Sequence, residues 1–209
     1  MSGPQFLARE DLSALVELLR GDGRRVIGPQ TRDGAIVYES LEGVEALPWG
    51  VRDHQSPGRY RLEAGDKARC FAWANGPQAL KPLLFAPRET LWRSAMKADG
   101  PAFEAVSPDV PPLAVIGVRA CDLAALRIHD QHFLEGLRPD PYYGARRAGM
   151  FLVAVNCTHP AETCFCASTG DGPQVTEGHD LRLHELDAGY LLEAGSEEGA
   201  AVLARLPVR

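Results

Sequence analysis

The chain has 209 residues, of which 45% are hydrophobic and 24% charged, and its formal net charge is −6 at pH 7. This length suffices for one sizeable core, and the lack of any dense run of Lys or Arg excludes a nucleic-acid-binding stripe. No apolar run approaches the roughly 18 residues of a membrane-spanning helix, and the N-terminus lacks the order of a signal peptide, so we expect a cytoplasmic protein without membrane insertion.

The first third of the sequence predicts one helix followed by short β-strands. Apolar side chains recur at helical spacing near the N-terminus, and β-branched runs separated by Gly-containing turns follow. In chain order, the predicted elements are a helix over 5–20, strands over 24–28 and 35–39 joined by a turn at 32–34, a loop over 47–58 and a strand over 60–63. We therefore expect a β-rich N-terminal region.

The next segment, residues 76–96, is interrupted by Pro77, Pro82 and Pro87. Proline breaks regular structure, so this segment predicts short pieces, with a helix over 89–96. Lys81 and Arg88 could face a binding site here. The alternative is that both are solvated charges on a loop that crosses the edge of the core.

The second half predicts a βαβ unit. Residues 113–118 and 150–155 are continuous apolar runs, as expected of strands covered on both faces. A helical pattern over 123–134 lies between them, with Asp122 as its N-cap, and a loop over 138–149 follows. Such a crossover makes the two strands parallel and near each other. Further strands over 181–183 and 190–193 and a helix over 197–205 complete an α/β fold with a mixed sheet.

Four of the five cysteines lie in this second half, at Cys121, Cys157, Cys164 and Cys166. In a cytosolic chain such clustering favours metal or redox chemistry over disulfides. Cys121 and Cys157 each follow the C-terminal end of a predicted parallel strand, where ligands bind in open α/β sheets. The other two lie on the loop that leaves the second strand. Four thiols can therefore meet in one small volume.

The residues alone leave the bound group open. Four thiolates suit either an iron–sulfur cubane or a structural zinc ion, and the spacing C-x6-C-x-C matches neither a ferredoxin run nor zinc-ribbon pairs. His159, inside the loop, is interpreted as a loop histidine. A third possibility is a thiol enzyme centred on Cys121, whose place at a helix N-terminus would lower its pKa. The least specific reading is that Cys121 is a small buried apolar side chain.

Three stretches resemble the N-terminal domain of the four-iron–four-sulfur dicluster proteins, which include the beta subunit of sulfhydrogenase and the A subunit of anaerobic sulfite reductase. They are GPQALKPLLFAPRETLW over 76–92, VIGVRACDLAAL over 115–126 and NCTHPAETCFCASTGDGP over 156–173. The resemblance implies a [4Fe-4S] cluster on the four cysteines and a role in relaying electrons between a flavoprotein and a hydrogenase- or reductase-type partner. Lys81, Arg88 and Arg119, which lie within these stretches, are the candidate cofactor-binding residues.

One departure from that family pattern limits the inference. Members usually continue into a ferredoxin-like segment with two C-x2-C-x2-C-x3-C-P runs, and this sequence carries none before Arg209. We therefore expect residues 1–209 to form a single iron–sulfur-type electron-transfer domain. The dicluster chemistry of the family is not assigned to it.

Overall fold

The computed structural model describes residues 3–76 and 80–209, so Pro77 lies outside the described residues. The strands are β1 (Gln5–Ala8), β2 (Arg25–Arg32), β3 (Ala35–Ser40), β4 (Val51–Ser56), β5 (Arg59–Ala64), β6 (Trp92–Lys97), β7 (Gly100–Ala105), β8 (Leu113–Val118), β9 (Met150–Val155), β10 (Leu181–Glu185) and β11 (Gly189–Ala194). The helices are α1 (Leu12–Gly21), α2 (Lys81–Leu84), α3 (Ala120–Phe133), α4 (Pro141–Ala148), α5 (Cys166–Thr169) and α6 (Glu197–Leu203).

A mixed sheet of seven strands, in the order β1-β11-β10-β9-β8-β2-β3, organises the described part of the chain. Strands β2, β8, β9 and β10 are mutually parallel, whereas β1, β3 and β11 run antiparallel to their neighbours. The connection from β8 through α3 to β9 is the predicted crossover, because β8 pairs directly with β9. The α/β fold class, the parallel βαβ unit and the β-rich N-terminal region are all confirmed.

Side chains of the central strands alternate between two apolar layers, one on each face of the sheet. In β8, Ile116 packs into the layer that contains Leu15 of α1, and Val115 packs into the layer that contains Leu123 of α3. Every residue of β8 and β9 is buried, as the continuous apolar runs predict. The two central strands are therefore covered on both faces.

Two N-terminal predictions are wrong. Residues Gln5–Ala8 form a strand instead of the first turn of the helix, because they pair with β11 and because Phe6 exchanges backbone hydrogen bonds of 2.8 and 3.0 Å with Arg209. The helix itself begins at Leu12. Residues Val51–Ser56, predicted as a loop, form β4, which pairs with β5 in a separate hairpin. The partner of β1 is distant in sequence, whereas β4 pairs with the strand that directly follows it, and in both places strand pairing determines the structure.

Two predictions between residues 89 and 149 are also wrong. Trp92–Lys97 is a strand rather than part of a helix, since it pairs with β7 across a tight turn to form a second separate hairpin. Pro141–Ala148 is a helix rather than a loop, and its start is capped by Asp140, whose carboxylate accepts the backbone N–H groups of the two residues after Pro141. A cap followed by Pro at the first helical position is a recognised helix-start signal. No helix in the described residues is long and apolar enough to cross a membrane.

Candidate metal centre

Two of the four clustered cysteines follow neighbouring parallel strands. Cys121 is the second residue of α3 and lies three positions after the end of β8, and Cys157 lies two positions after the end of β9. Because β8 and β9 pair in parallel, their C-terminal ends meet at the same edge of the sheet. The predicted relation between the strand ends that carry these two thiols is confirmed.

The loop that follows β9 is closed at its base. The side-chain carbonyl of Asn156 accepts the backbone N–H of Val175 at 2.9 Å, and the N–H of Cys157 donates to the carbonyl of Pro173 at 3.1 Å. Residues 157–173 therefore leave and re-enter the sheet edge at one point. The loop folds back over the end of its own strand, and α5 within it carries Cys166.

Gly172 brings Cys166 against the start of α3. A Cβ atom at position 172 would lie 3.2 Å from the Sγ of Cys166 and 3.4 Å from the Cβ of Ala120. The first separation is tighter than most Cβ contacts and the second is at the limit of ordinary contact, so a side chain here would require the thiol to shift. The absence of a side chain at Gly172 thus lets the loop cysteine approach the residue that precedes Cys121.

The thiols of Cys157 and Cys166 are near enough to Cys121 to influence its pKa. The residue is solvent-accessible, yet desolvation by the surrounding protein raises the pKa of its thiol to about 12. Negative charge at Asp122, Cys166 and Cys157 would act in the same direction, and Arg119 opposes it. A nucleophilic cysteine at a helix N-terminus needs a lowered pKa, so the direction of this shift argues against the thiol-enzyme alternative.

Backbone groups of the loop contact two of the sulfur atoms. The N–H of Ala161 donates to the Sγ of Cys164 at 3.3 Å, and the thiol of Cys157 donates to the carbonyl of His159 at 3.6 Å. The first contact is the kind of amide–sulfur hydrogen bond that tunes a thiolate-bound metal. His159 itself is engaged elsewhere, since its Nε2 lies 3.0 Å from the carbonyl oxygen of Asp53.

The donor types at this edge fit a thiolate-held group. All five cysteines of the chain are free, and the four clustered ones are exposed or half-buried. Within residues 3–76 and 80–209, however, no three Cys, His, Asp or Glu side chains are arranged as a metal ligand set. The described residues therefore offer suitable donors without arranging them around a centre.

The three candidate cofactor-binding residues occupy different environments. Lys81 begins α2, and Arg88 lies in the segment before β6, and both side chains are exposed. Arg119 is buried, and its guanidinium donates to the backbone carbonyl of Asn156, directly before Cys157. A cofactor-binding role for these residues stays a prediction.

The start of α3, which carries Cys121, is held by Asp122 and by Asn75, a residue that the sequence did not single out. Asp122 is the third residue of α3 rather than its N-cap, and its carboxylate accepts the backbone N–H of Arg119 at 2.9 Å and the side-chain amide of Asn75. The hydroxyl of Tyr38 lies 3.4 Å from the side-chain oxygen of Asn75 and donates to the carbonyl of Gly117 at 2.7 Å. No local motif marks Asn75, because its partner is 47 residues away.

Comparison with known proteins finds similarity to sulfhydrogenase 2 subunit beta of Pyrococcus furiosus, which is 41% identical over 85 residues. The matched stretch covers 41% of this chain and 25% of that relative, so the match spans about a quarter of the relative's length. No family model matches the chain. No solved structure matches it either. The relative agrees with the resemblance seen in the sequence motifs.

Proposed function

We propose that this chain is an electron-transfer unit of a hydrogenase- or reductase-type assembly, in which residues 1–209 form one cytoplasmic iron–sulfur domain that receives electrons from, or passes them to, a flavoprotein. One observation supports the proposal: free cysteines follow the ends of two paired parallel strands, and two more lie on the loop that leaves the second strand and closes at its base. The partial relative, named as a sulfhydrogenase subunit, supports this class of assembly.

In this proposal Cys121, Cys157, Cys164 and Cys166 hold a [4Fe-4S] cluster. Bound there, such a cluster supplies reversible one-electron transfer. The chain's own contribution is to fix the thiol-bearing segments, through the closed base of the loop, and to offer the Ala161 N–H to sulfur. The exposed cations Lys81 and Arg88 are proposed to meet anionic groups of a cofactor or partner.

The direct test is metal and sulfide analysis of protein purified and reconstituted without oxygen. We expect a brown protein with about four iron and four sulfide per chain, the stoichiometry of a four-cysteine cubane. Replacing each clustered cysteine by serine in turn should lower the iron and sulfide content. Cys70→Ala is the matched control, because Cys70 is fully buried in the core and packs against Tyr190 rather than the loop.

Two outcomes would overturn the proposal. A colourless, iron-free protein after anaerobic reconstitution would exclude the cluster. Zinc bound in place of iron, with no sulfide and no visible absorbance, would instead support a zinc-stabilised structural or interaction module that uses the same thiols.

A further inference from the structure

Arg119 is a buried cation without an ion-pair partner. The residue is 1% exposed, and among the described residues no carboxylate oxygen lies within 4.0 Å of its guanidinium. Its two terminal nitrogens donate only to backbone carbonyls, those of Phe71 at 2.7 Å, Trp73 at 3.0 Å and Asn156 at 3.3 Å. Its Nε has no hydrogen-bond partner in the described part of the chain.

This arrangement leaves the guanidinium without a carboxylate in direct contact among the described residues. Fully buried arginines are normally paired, since carrying a cation out of water costs more than neutral hydrogen bonds return. The ring of Trp73, 4.6 Å from the guanidinium carbon, offers a favourable cation–π contact but no net charge. The buried carboxylate of Asp122 interacts with this charge through space, but it accepts its hydrogen bonds from the backbone N–H of Arg119 and the side chain of Asn75.

The buried guanidinium lies near both strand ends that carry the thiols. Arg119 is two residues before Cys121, and the carbonyl of Asn156 to which its side chain donates is directly before Cys157. A group held by four thiolates is the kind of anionic partner that this position lacks.

We propose that Arg119 is the buried counter-charge of the four-cysteine site. The inference rests on the proposed function and deepens it. A cluster bound there would gain one negative charge on accepting one electron from a partner, and a fixed cation in a desolvated position would stabilise the reduced form more than the oxidised form. Arg119 therefore holds the midpoint potential at a more positive value than the thiolate ligands alone would give.

The test compares midpoint potentials in full-length protein reconstituted without oxygen, measured by redox titration with EPR detection. Arg119→Met removes the charge, and Arg119→Lys keeps it while losing the forked donor geometry. We expect Arg119→Met to disfavour reduction at least tenfold, a shift of about 59 mV to more negative potential for one electron, and Arg119→Lys to remain close to the unmodified protein.

Arg205→Met is the matched control. It also removes one arginine charge, but from a side chain that is 52% exposed and paired with Asp22, so screening by solvent should leave the midpoint unchanged. If Arg119→Met does not fold, citrulline at position 119 takes its place, since citrulline keeps the donors and loses the charge.

Each outcome decides between distinct failures. An unchanged midpoint in a folded, cluster-loaded, charge-free variant overturns the counter-charge role and leaves the proposed function standing. A shift of equal size in Arg119→Lys assigns the effect to hydrogen-bond geometry and likewise overturns it. Absence of any cluster in the unmodified protein removes the proposed function itself.

Discussion

The buried ionic side chains all form hydrogen bonds with the backbone of one irregular segment, residues 70–74. Asp53, Arg119 and Glu185 are each at most 3% exposed. The carboxylate of Asp53 accepts the N–H of Ala74, Glu185 accepts the N–H groups of residues 70 and 71, and Arg119 donates to the carbonyls of residues 71 and 73. Buried backbone outside a helix or sheet needs such partners. These charges therefore stabilise the segment that packs against the start of α3.

His179 provides a prediction about pH. Burial lowers the pKa of its imidazole below the usual 6.5, with Arg182 acting in the same direction and the Glu177 backbone, Asp180 and Glu193 acting against it. Its Nδ1 is buried without a hydrogen-bond partner among the described residues. As the pH falls below 6.5, the unfolded chain binds a proton that the folded protein resists, so stability is lost; above 6.5 both states are neutral and the effect vanishes.

We therefore expect the urea midpoint of the apo protein to fall between pH 7.5 and pH 5.5, and to fall less in His179→Gln, which cannot titrate. Burial raises the pKa of Asp122 to about 6, which acts on stability with the opposite sign. That contribution is present in both proteins and cancels in the comparison. An equal fall in both proteins would contradict the assignment to His179.

At the scale of elements, Gly189 is required for the attachment of β1. A Cβ atom there would lie 2.9 Å from the ring of Phe6 and 3.1 Å from the Cα of Ala8, and closer still to the carbonyl of Leu7. Gly189→Ala should therefore separate β1 from β11 and lower the free energy of unfolding by about 1–3 kcal/mol, as overpacking does. Urea denaturation measures the loss, and hydrogen exchange should locate it in β1.

Gly21→Ala is the matched control, because a Cβ atom at position 21 has no neighbour within 4 Å. It adds the same methyl group at the end of α1 and should leave the amide protection of β1 unchanged. Equal protection of β1 in Gly189→Ala and in the unmodified protein would mean that the strand shifts without detaching.

The elements that the sequence predicted are those whose pattern is local. The continuous apolar runs of β8 and β9 predict buried strands, and the parallel pairing of these strands puts the ends that precede Cys121 and Cys157 at the same edge of the sheet. The missed strands depend on pairing: β1 needs β11 and the C-terminal residue, which are distant in sequence, and β4 needs β5, which follows after a two-residue turn. The role of Asn75 could not be predicted from the sequence either, because its hydrogen-bond partner Asp122 is 47 residues away. Only α4 carried a local signal, the Asp140 cap before Pro141, that could have been recognised.

At the scale of the whole molecule, the cysteine region and the core are separate. Both apolar layers are built from the sheet and its helices, and the four clustered cysteines belong to neither. The fifth, Cys70, is part of the core and is completely buried. We therefore expect the stability of the sheet not to depend on the proposed cluster.

This separation predicts the effect of cluster removal. A bound group stabilises only the conformation that binds it, and local segments can open without global unfolding. Oxidative removal of iron followed by chelation should therefore increase hydrogen exchange in residues 157–173 and at the start of α3. The amides of β8, β9 and β10 should stay protected, and the far-ultraviolet circular dichroism should change little.

Cys164→Ser, which alters an exposed loop thiol, offers a comparison without chemical treatment. Its loop should exchange as fast as that of the stripped protein, while its sheet amides match those of the loaded protein. Cooperative loss of protection across both layers on iron removal would instead mean that the bound group holds the sheet together. The bound group would then serve mainly to stabilise the fold, and its reduction potential would be secondary to that role.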